Sequence, residues 1–344
     1  MKVLHLLYSD RFSGAENVVC QIIGMFSNNP DVEMAYCSRD GQIREALEER
    51  GIEFLSVSEL KLAEVKRVIK EYKPDVVHAH DMRAAFIASL AVGKIKLVSH
   101  IHNNNFDSRG FSLKSILFLL AGLKSKHIFW VSKGSYEGYY FHSLFKKKSQ
   151  VLYNILDVDE LYKKAETDTE KYDYDIVYLG RLNEVKNPFR MLKIISEVAK
   201  QKSELKVAVI GSGELEDECK TLSDKLGLVD NVEFLGFKNN PLKIVKSSKV
   251  MIMTSLTEGT PMSALESLAL GTPIVSTPVG GMCELIENGV NGYLTDDDCE
   301  MQKEILNIIN DSVNRQSLSK NAVKMCKALC DKEQYSNTIL EKYY

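Results

Sequence analysis

Residues 257–281 read TEGTPMSALESLALGTPIVSTPVGG. Two carboxylates, Glu258 and Glu266, stand with seven residues between them, and the intervening Gly259 and Pro261 mark a loop turning into a helix. Thr260 suits a helix cap and Pro261 the first helical position, where no amide is needed. The pattern predicts a helix from Met262 to about Leu270, stopped by Gly271. The free amides at such a helix start, on Met262 and Ser263, together with the helix dipole, suit a phosphate or diphosphate. Glu266 lies a turn further in, where a carboxylate is repelled by that anion. Its two acceptor oxygens fit a neutral vicinal diol such as a ribose. Glu258, ahead of the helix, is placed for hydroxyls of a second sugar. The alternative is two solvated glutamates near a helix end.

Other residue types could join this chemistry. Arg181 and Lys186 follow an apolar run and could neutralise a leaving diphosphate; surface charge at a helix start is the other reading. Gly211-Ser212-Gly213 follows a run and precedes a helical pattern, but Glu216 stands where a dinucleotide fingerprint needs its third glycine. That leaves a close backbone approach to a nucleotide or a tight turn. Ser13 and Gly14 could present amides to a diphosphate, with Glu16 structural. His78/His80 and His100/His102 form two His-x-His pairs. They could bind zinc, pack as satisfied core residues, or place one ring against a sugar.

The elements that must position these residues are legible as alternation. Short strands of apolar residues are expected at 3–7, 33–37, 53–57, 76–79, 96–101, 128–131 and 150–153. A second series runs 175–179, 206–210, 232–235, 249–254 and 273–276. Helical patterns such as 15–26, 43–50 and 62–71 lie between them, so the fold class is α/β, with parallel sheets covered on both faces. The segment 157–175 is charged and poor in aliphatics, and reads as a linker. Two doubly wound domains are expected, 1–160 and 161–330, facing across a cleft. A last helix over 331–344 is expected to pack on an apolar surface of the first.

The 344 residues, 44% hydrophobic and 26% charged, suit two globular domains. A net charge of -3 gives no reason to expect nucleic acid. Residues 1–165 hold 23 basic against 19 acidic side chains, and the remainder 21 against 28, so the two halves face different partners or merely carry uneven solvated faces. Seven scattered cysteines without a Cys-x-x-Cys pair suit reduced cytoplasmic thiols. The N-terminus lacks the pattern of a signal peptide, and the longest apolar run, 116–123, is too short for a membrane span.

The Glu, seven residues, Glu arrangement with ALGTPIVSTPVGG after it resembles the nucleotide-sugar motif of retaining family-4 glycosyltransferases of GT-B fold. SGAE at 13–16, HAHD at 78–81, HIHNN at 100–104, GRLNEVK at 180–186, VIGSGE at 209–214, FLGF at 234–237 and ELIENGVNGYL at 284–294 resemble further segments of that family. The serine at position 13 departs from its Gly-Gly-x-Glu loop, which questions the diphosphate contact there. The resemblance implies a GT-B enzyme whose first domain binds the acceptor and whose second holds the donor. It implies that the leaving phosphate takes the acceptor's proton on the same face, with Arg181 and Lys186 stabilising it. Glu258 and His102, with His100 as the second choice of histidine, would fix the sugar, Glu266 the ribose, and backbone near Phe237 and Lys238 the base. The implied donor is a UDP-sugar, with a GDP-sugar second, and no cofactor or catalytic metal is implied. The acceptor would be a polysaccharide or lipid-linked glycan. The apolar helix from Ser112 and Lys146–Lys148 could rest on an anionic membrane, or be a buried crossover helix with solvated lysines. A UDP-sugar epimerase of the same architecture and a non-catalytic partner-stabilising homologue are the alternatives.

Overall fold

The computed structural model describes residues 1–12, 14–102 and 108–344. It divides into two compact units, Met1–Ile155 with Asp331–Tyr344, and Leu156–Cys330.

The first unit holds seven parallel strands. They are β1 (Lys2–Leu7), β2 (Glu33–Cys37), β3 (Glu53–Phe54), β4 (Val76–His80), β5 (Lys96–Ile101), β6 (His127–Trp130) and β7 (Ser149–Val151), in the order β3-β2-β1-β4-β5-β6-β7. The second holds six: β8 (Ile176–Leu179), β9 (Val207–Ile210), β10 (Val232–Gly236), β11 (Val250–Met253), β12 (Ile274–Ser276) and β13 (Gly292–Leu294), in the order β10-β9-β8-β11-β12-β13. Both orders reverse direction beside the first strand of their unit, the doubly wound pattern whose ligands bind beyond the carboxyl ends of the strands. Each sheet is covered by helices, so its strands read as continuous apolar runs. Val3, Leu4, Leu6 and Leu7 of β1 and all four residues of β9 are at most 1% exposed.

Helices bury one stripe each. In Leu62–Tyr72 the buried residues are Val65, Val68, Ile69 and Tyr72, at helical spacing. The second-unit helix Pro188–Gln201 begins with proline at its first position and buries Met191, Leu192, Ile194, Ile195 and Val198.

Three expectations need correction. The segment read as a linker contains a helix, Val158–Glu166, opened by Asp157 accepting from the Glu160 amide. Its Val158, Leu161 and Ala165 are buried, a three-then-four spacing that its charged residues obscured. The Tyr162 hydroxyl donates to the Ala269 carbonyl at 2.9 Å, and Lys246 bonds Glu166. This helix therefore belongs to the second unit, and the division falls at Ile155/Leu156 instead of 160/161. The strand expected at 53–57 pairs only at Glu53–Phe54, with an isolated bridge at Val57. Finally, β13 was not among the expected strands. It is three residues long, and Gly292 sits where a side chain would strike the Ile274 carbonyl at 2.3 Å.

The last helix is Lys332–Tyr343, which buries Tyr335, Ile339 and Tyr343 in the first unit.

Candidate active site

Beyond the carboxyl end of β11 lies the loop 254–261, clamped from both flanks. On one side the Thr254 hydroxyl donates to the Lys186 and Asn187 carbonyls at 3.2 and 2.9 Å, and the Leu256 amide to Val185 at 2.8 Å. On the other, the Thr277 hydroxyl donates to the Ser255 carbonyl at 2.7 Å, and the Gly281 amide to Gly259 at 2.8 Å. The Gly280-Gly281 pair explains itself here. A Cβ on Gly280 would stand 1.8 Å from the Glu258 carbonyl oxygen, and one on Gly281 2.0 Å from that of Gly259. Gly280 also has a φ of +50°, a conformation few side chains adopt. These glycines were quoted in the motif but not read as supports of the glutamate loop; no local spacing announces that contact.

Lys186 ends a short turn, Glu184–Lys186, opened by Asn183 accepting from the Lys186 amide at 3.1 Å. Asn187 follows with φ +50° and turns the chain into Pro188–Gln201. The clamp brings Lys186 to Glu258, Nζ to Oε1 at 2.6 Å, with side chains 22% and 8% exposed. Ser255, not singled out in the sequence, donates its hydroxyl to the same Oε1 at 2.6 Å. Two residues read as separate tools therefore form one ion pair. Arg181 is exposed, its backbone carbonyl held by the Tyr178 hydroxyl at 2.8 Å.

The helix Met262–Ala269 starts at Met262 as expected, but its cap falls one residue later than expected. Pro261 is the N-cap, with no side-chain cap bond, so Thr260 does not serve as expected. The Ala264 and Leu265 amides bond to the Pro261 carbonyl, while those of Met262 and Ser263 have no partner among the described residues. These are the donors an anion would meet. Gly271, at φ +81°, ends the helix as expected. Glu266 is partly accessible, and burial pushes its carboxyl up to about 7 against the weaker opposing pull of Lys164.

Gly211 and Gly213 lie beside this region. Their Cβ positions would meet the Gly180 carbonyl at 2.0 Å and the Leu182 carbonyl at 2.2 Å. Packing of one βα loop on the next thus requires both glycines, and Ser212 between them is exposed. Phe237 is 72% exposed and Lys238 is exposed beside it, just after β10.

In the first unit, Gly14 opens the helix Gly14–Phe26 beyond β1, and Glu16 is buried in its first turn. Ser13 and Asn103 lie outside the described residues. The two His-x-His pairs share one face of the sheet with a residue the sequence reading passed over, His5. Strand register sets His5 beside His78 and His80 beside His100. His5, His78, His80 and His100 are fully buried and His102 partly so. The rings stack, at 4.2 Å between His78 and His80 and 4.3 Å between His100 and His102. One nitrogen each from His5, His78 and His80, and from His80, His100 and His102, lie within 4.8 Å of one another. Burial lowers every one of these pKa values, His5 to about 3 and His102 to about 4, so all are neutral at pH 7. The His78 Nδ1 meets the Tyr343 hydroxyl at 2.6 Å, a partner supplied by the last helix.

Two family models meet nearly end to end on the chain. Glycosyltransferase Family 4 matches residues 12–160 and Glycosyl transferases group 1 matches residues 159–325. The chain is a glycosyltransferase of GT-B fold. Among its relatives, an uncharacterized glycosyltransferase of Methanocaldococcus jannaschii is 30% identical over 62% of this chain and 58% of its own length. N-acetylgalactosamine-N,N'-diacetylbacillosaminyl-diphospho-undecaprenol 4-alpha-N-acetylgalactosaminyltransferase of Campylobacter jejuni is 28% identical over 94% of each. Among solved structures, Anabaena HepE in complex with UDP-glucose superposes with a TM-score of 0.85, at 22% identity over 99% of this chain and 98% of that one. In this glycosyltransferase the Lys186–Glu258 pair and the open helix start at Met262 fall within the group 1 match, and the histidine array within the Family 4 match.

Proposed function

We propose that this glycosyltransferase moves a hexosyl or N-acetylhexosaminyl group from a UDP-sugar to a hydroxyl of a glycan or lipid-linked acceptor, with retention at the anomeric carbon. The observation that carries the reading is the helix start at Met262. Its first amides lack partners among the described residues, a lysine–glutamate pair stands ahead of it, and Glu266 stands one turn behind it. A diphosphate over the amides leaves each carboxylate to a neutral ring: the ribose to Glu266 and the transferred sugar to Glu258. Backbone near Phe237 and Lys238 is proposed to meet the base, Gly211–Gly213 the phosphates, and, on the first unit, His102 the transferred sugar. Support for uridine comes from HepE, solved with UDP and with UDP-glucose; support for a lipid-linked acceptor comes from the Campylobacter relative's own substrate.

In the proposed step the bond from the anomeric carbon to the β-phosphate oxygen breaks, and a bond to the acceptor oxygen forms on the same face. The acceptor's proton passes to the departing phosphate, so no strong enzymatic nucleophile is needed. Charge gathers on the phosphate as the bond breaks, and Arg181, Lys186 and the helix amides stabilise it. The step is proposed to need no metal ion. Thermal-shift screening of UDP-, GDP- and dTDP-sugars, then mass analysis of products on candidate acceptors, tests the reading. Stabilisation by UDP-sugars and acceptor-dependent UDP release are expected. UDP-sugar turnover without an acceptor would favour an epimerase instead.

We further propose a peripheral, cytoplasmic-face association. No helix among the described residues is long and apolar enough to cross a membrane. Yet Phe111, Leu113, Leu120, Leu123 and Leu144 are between 51% and 73% exposed, beside Lys114, Lys124, Lys146 and Lys147. Apolar side chains flanked by lysines fit an anionic bilayer surface.

A further inference from the structure

Four side chains cross the first sheet as an unbroken series of hydrogen bonds. Met34 Sδ on β2 meets His5 Nε2 on β1 at 3.4 Å. His5 Nδ1 meets His80 Nε2, at the end of β4, at 2.9 Å. His80 Nδ1 meets Nε2 of His102, just after β5, at 3.0 Å. A neutral imidazole has one N–H and one lone pair, so each ring must donate through one nitrogen and accept through the other. A thioether has no hydrogen to give. His5 must therefore carry its proton on Nε2 and accept at Nδ1. His80 must then donate from Nε2 and accept at Nδ1, and His102 must donate from Nε2.

We propose that Met34, His5 and His80 are positioning residues that hold His102 as the Nε2–H tautomer, leaving its Nδ1 as a lone pair beside Asn154. Burial that lowers the pKa of all three rings keeps them neutral, which the alternation requires. The contact distances separate this from metal binding. Two nitrogens on one tetrahedral zinc, each at about 2.0–2.1 Å from the ion, stand roughly 3.3 Å apart; nitrogens at 2.9 and 3.0 Å are at proton-sharing separation. His100, with neither ring nitrogen partnered among the described residues, lies outside the series and stacks on His102. The consequence for the reaction rests on the assignment of His102 to the transferred sugar. His102 Nδ1 is itself buried, so an imidazole whose proton is committed to His80 has only an acceptor, and no donor, to turn to a sugar once that nitrogen is uncovered.

The test is nitrogen-15 NMR of the histidine-labelled full chain at pH 7.5, where protonated and bare ring nitrogens differ in chemical shift. His5, His80 and His102 are expected as Nε2–H, and Met34→Leu, close in volume, is expected to give mixed tautomers at all three. His80→Leu is expected to lower turnover about tenfold with UDP affinity unchanged, and His80→Gln, which keeps a donor and an acceptor, to restore part of it. An Nδ1–H signal from His102, an unchanged tautomer pattern in Met34→Leu, or stoichiometric metal by mass spectrometry overturns the proposal. Nε2–H throughout with normal turnover in His102→Ala upholds the relay and instead removes His102 from the sugar site.

Discussion

Lys186 Nζ and Glu258 Oε1 lie 2.6 Å apart, although 71 residues separate them in the chain. The pair ties the turn after β8 to the loop after β11, strands that are hydrogen-bonded neighbours. Removing one charge leaves the other partly buried and uncompensated. Lys186→Met is expected to lower turnover by about 100-fold, the scale of losing one preorganised donor. Glu258→Gln is expected to lower it less. Because the residues share one contact, the double variant should lose less than the two single losses combined. Strictly additive steady-state losses would show that the pair does not act as a unit.

Gly280 touches the backbone of Glu258 where a methyl group has no room. Gly289 also has a positive φ, +75°, but nothing lies within 4 Å of its Cβ position. Gly289→Ala is therefore expected to cost only backbone strain, about 1–2 kcal/mol. Gly280→Ala carries similar strain and also displaces the glutamate loop, so its turnover should fall at least tenfold further. Equal turnover in the two folded variants would sink this account of the glycine pair.

Glu266 has its carboxyl raised to about 7. An ionised carboxylate accepts from a diol better than a protonated one, so binding should favour the deprotonated form. Affinity for a UDP-sugar, whose diphosphate does not titrate near neutrality, is expected to rise from pH 6 to pH 8 and then level off. The limiting slope is about tenfold per pH unit. Calorimetry on Glu266→Gln should find weaker binding and a flat profile; a slope that persists would assign the titration elsewhere.

The histidine array sets an acid limit. His5, His78, His80, His100 and His102 all have pKa values lowered in the fold, against about 6.5 in the unfolded chain. Below 6.5 the unfolded state binds protons that the folded state refuses, so stability is present at higher pH and lost as pH falls. At pH 5.5 every ring that stays neutral in the fold opposes folding, and the five act in the same direction against a stability that is only marginal for a whole domain. Circular dichroism is expected to record cooperative unfolding of the first unit near pH 5 to 5.5. A melting temperature flat from pH 7 to pH 5 would contradict the burial of these rings.

The proposed membrane face predicts that the protein sediments with phosphatidylglycerol vesicles and not with phosphatidylcholine vesicles. Leu120 and Leu123 are 51% and 64% exposed, so Leu120→Ser with Leu123→Ser should leave the melting temperature within about 2 °C while weakening sedimentation about tenfold. Binding unaffected by the double change would leave that face without its proposed partner.

Much of this protein is legible in its sequence because the signals are local. Aliphatic runs mark nearly every strand, since parallel strands covered on both faces must be apolar throughout. Pro261 and Gly271 bracket the helix at the candidate site because backbone conformation restricts which residues can stand there. Charge hid the helix Val158–Glu166, whose three buried residues are a minority among its polar ones, and three-residue β13 was too short to show a period. The residue types able to meet a diphosphate and two sugars could likewise be read from one stretch. Only the tertiary structure decided which groups meet. The Lys186–Glu258 pair, the glycines beneath that glutamate and the line from Met34 to His102 each join strands or loops distant in the chain. Such contacts depend on sheet order and register, and a linear spacing carries no record of which strand becomes the neighbour of which.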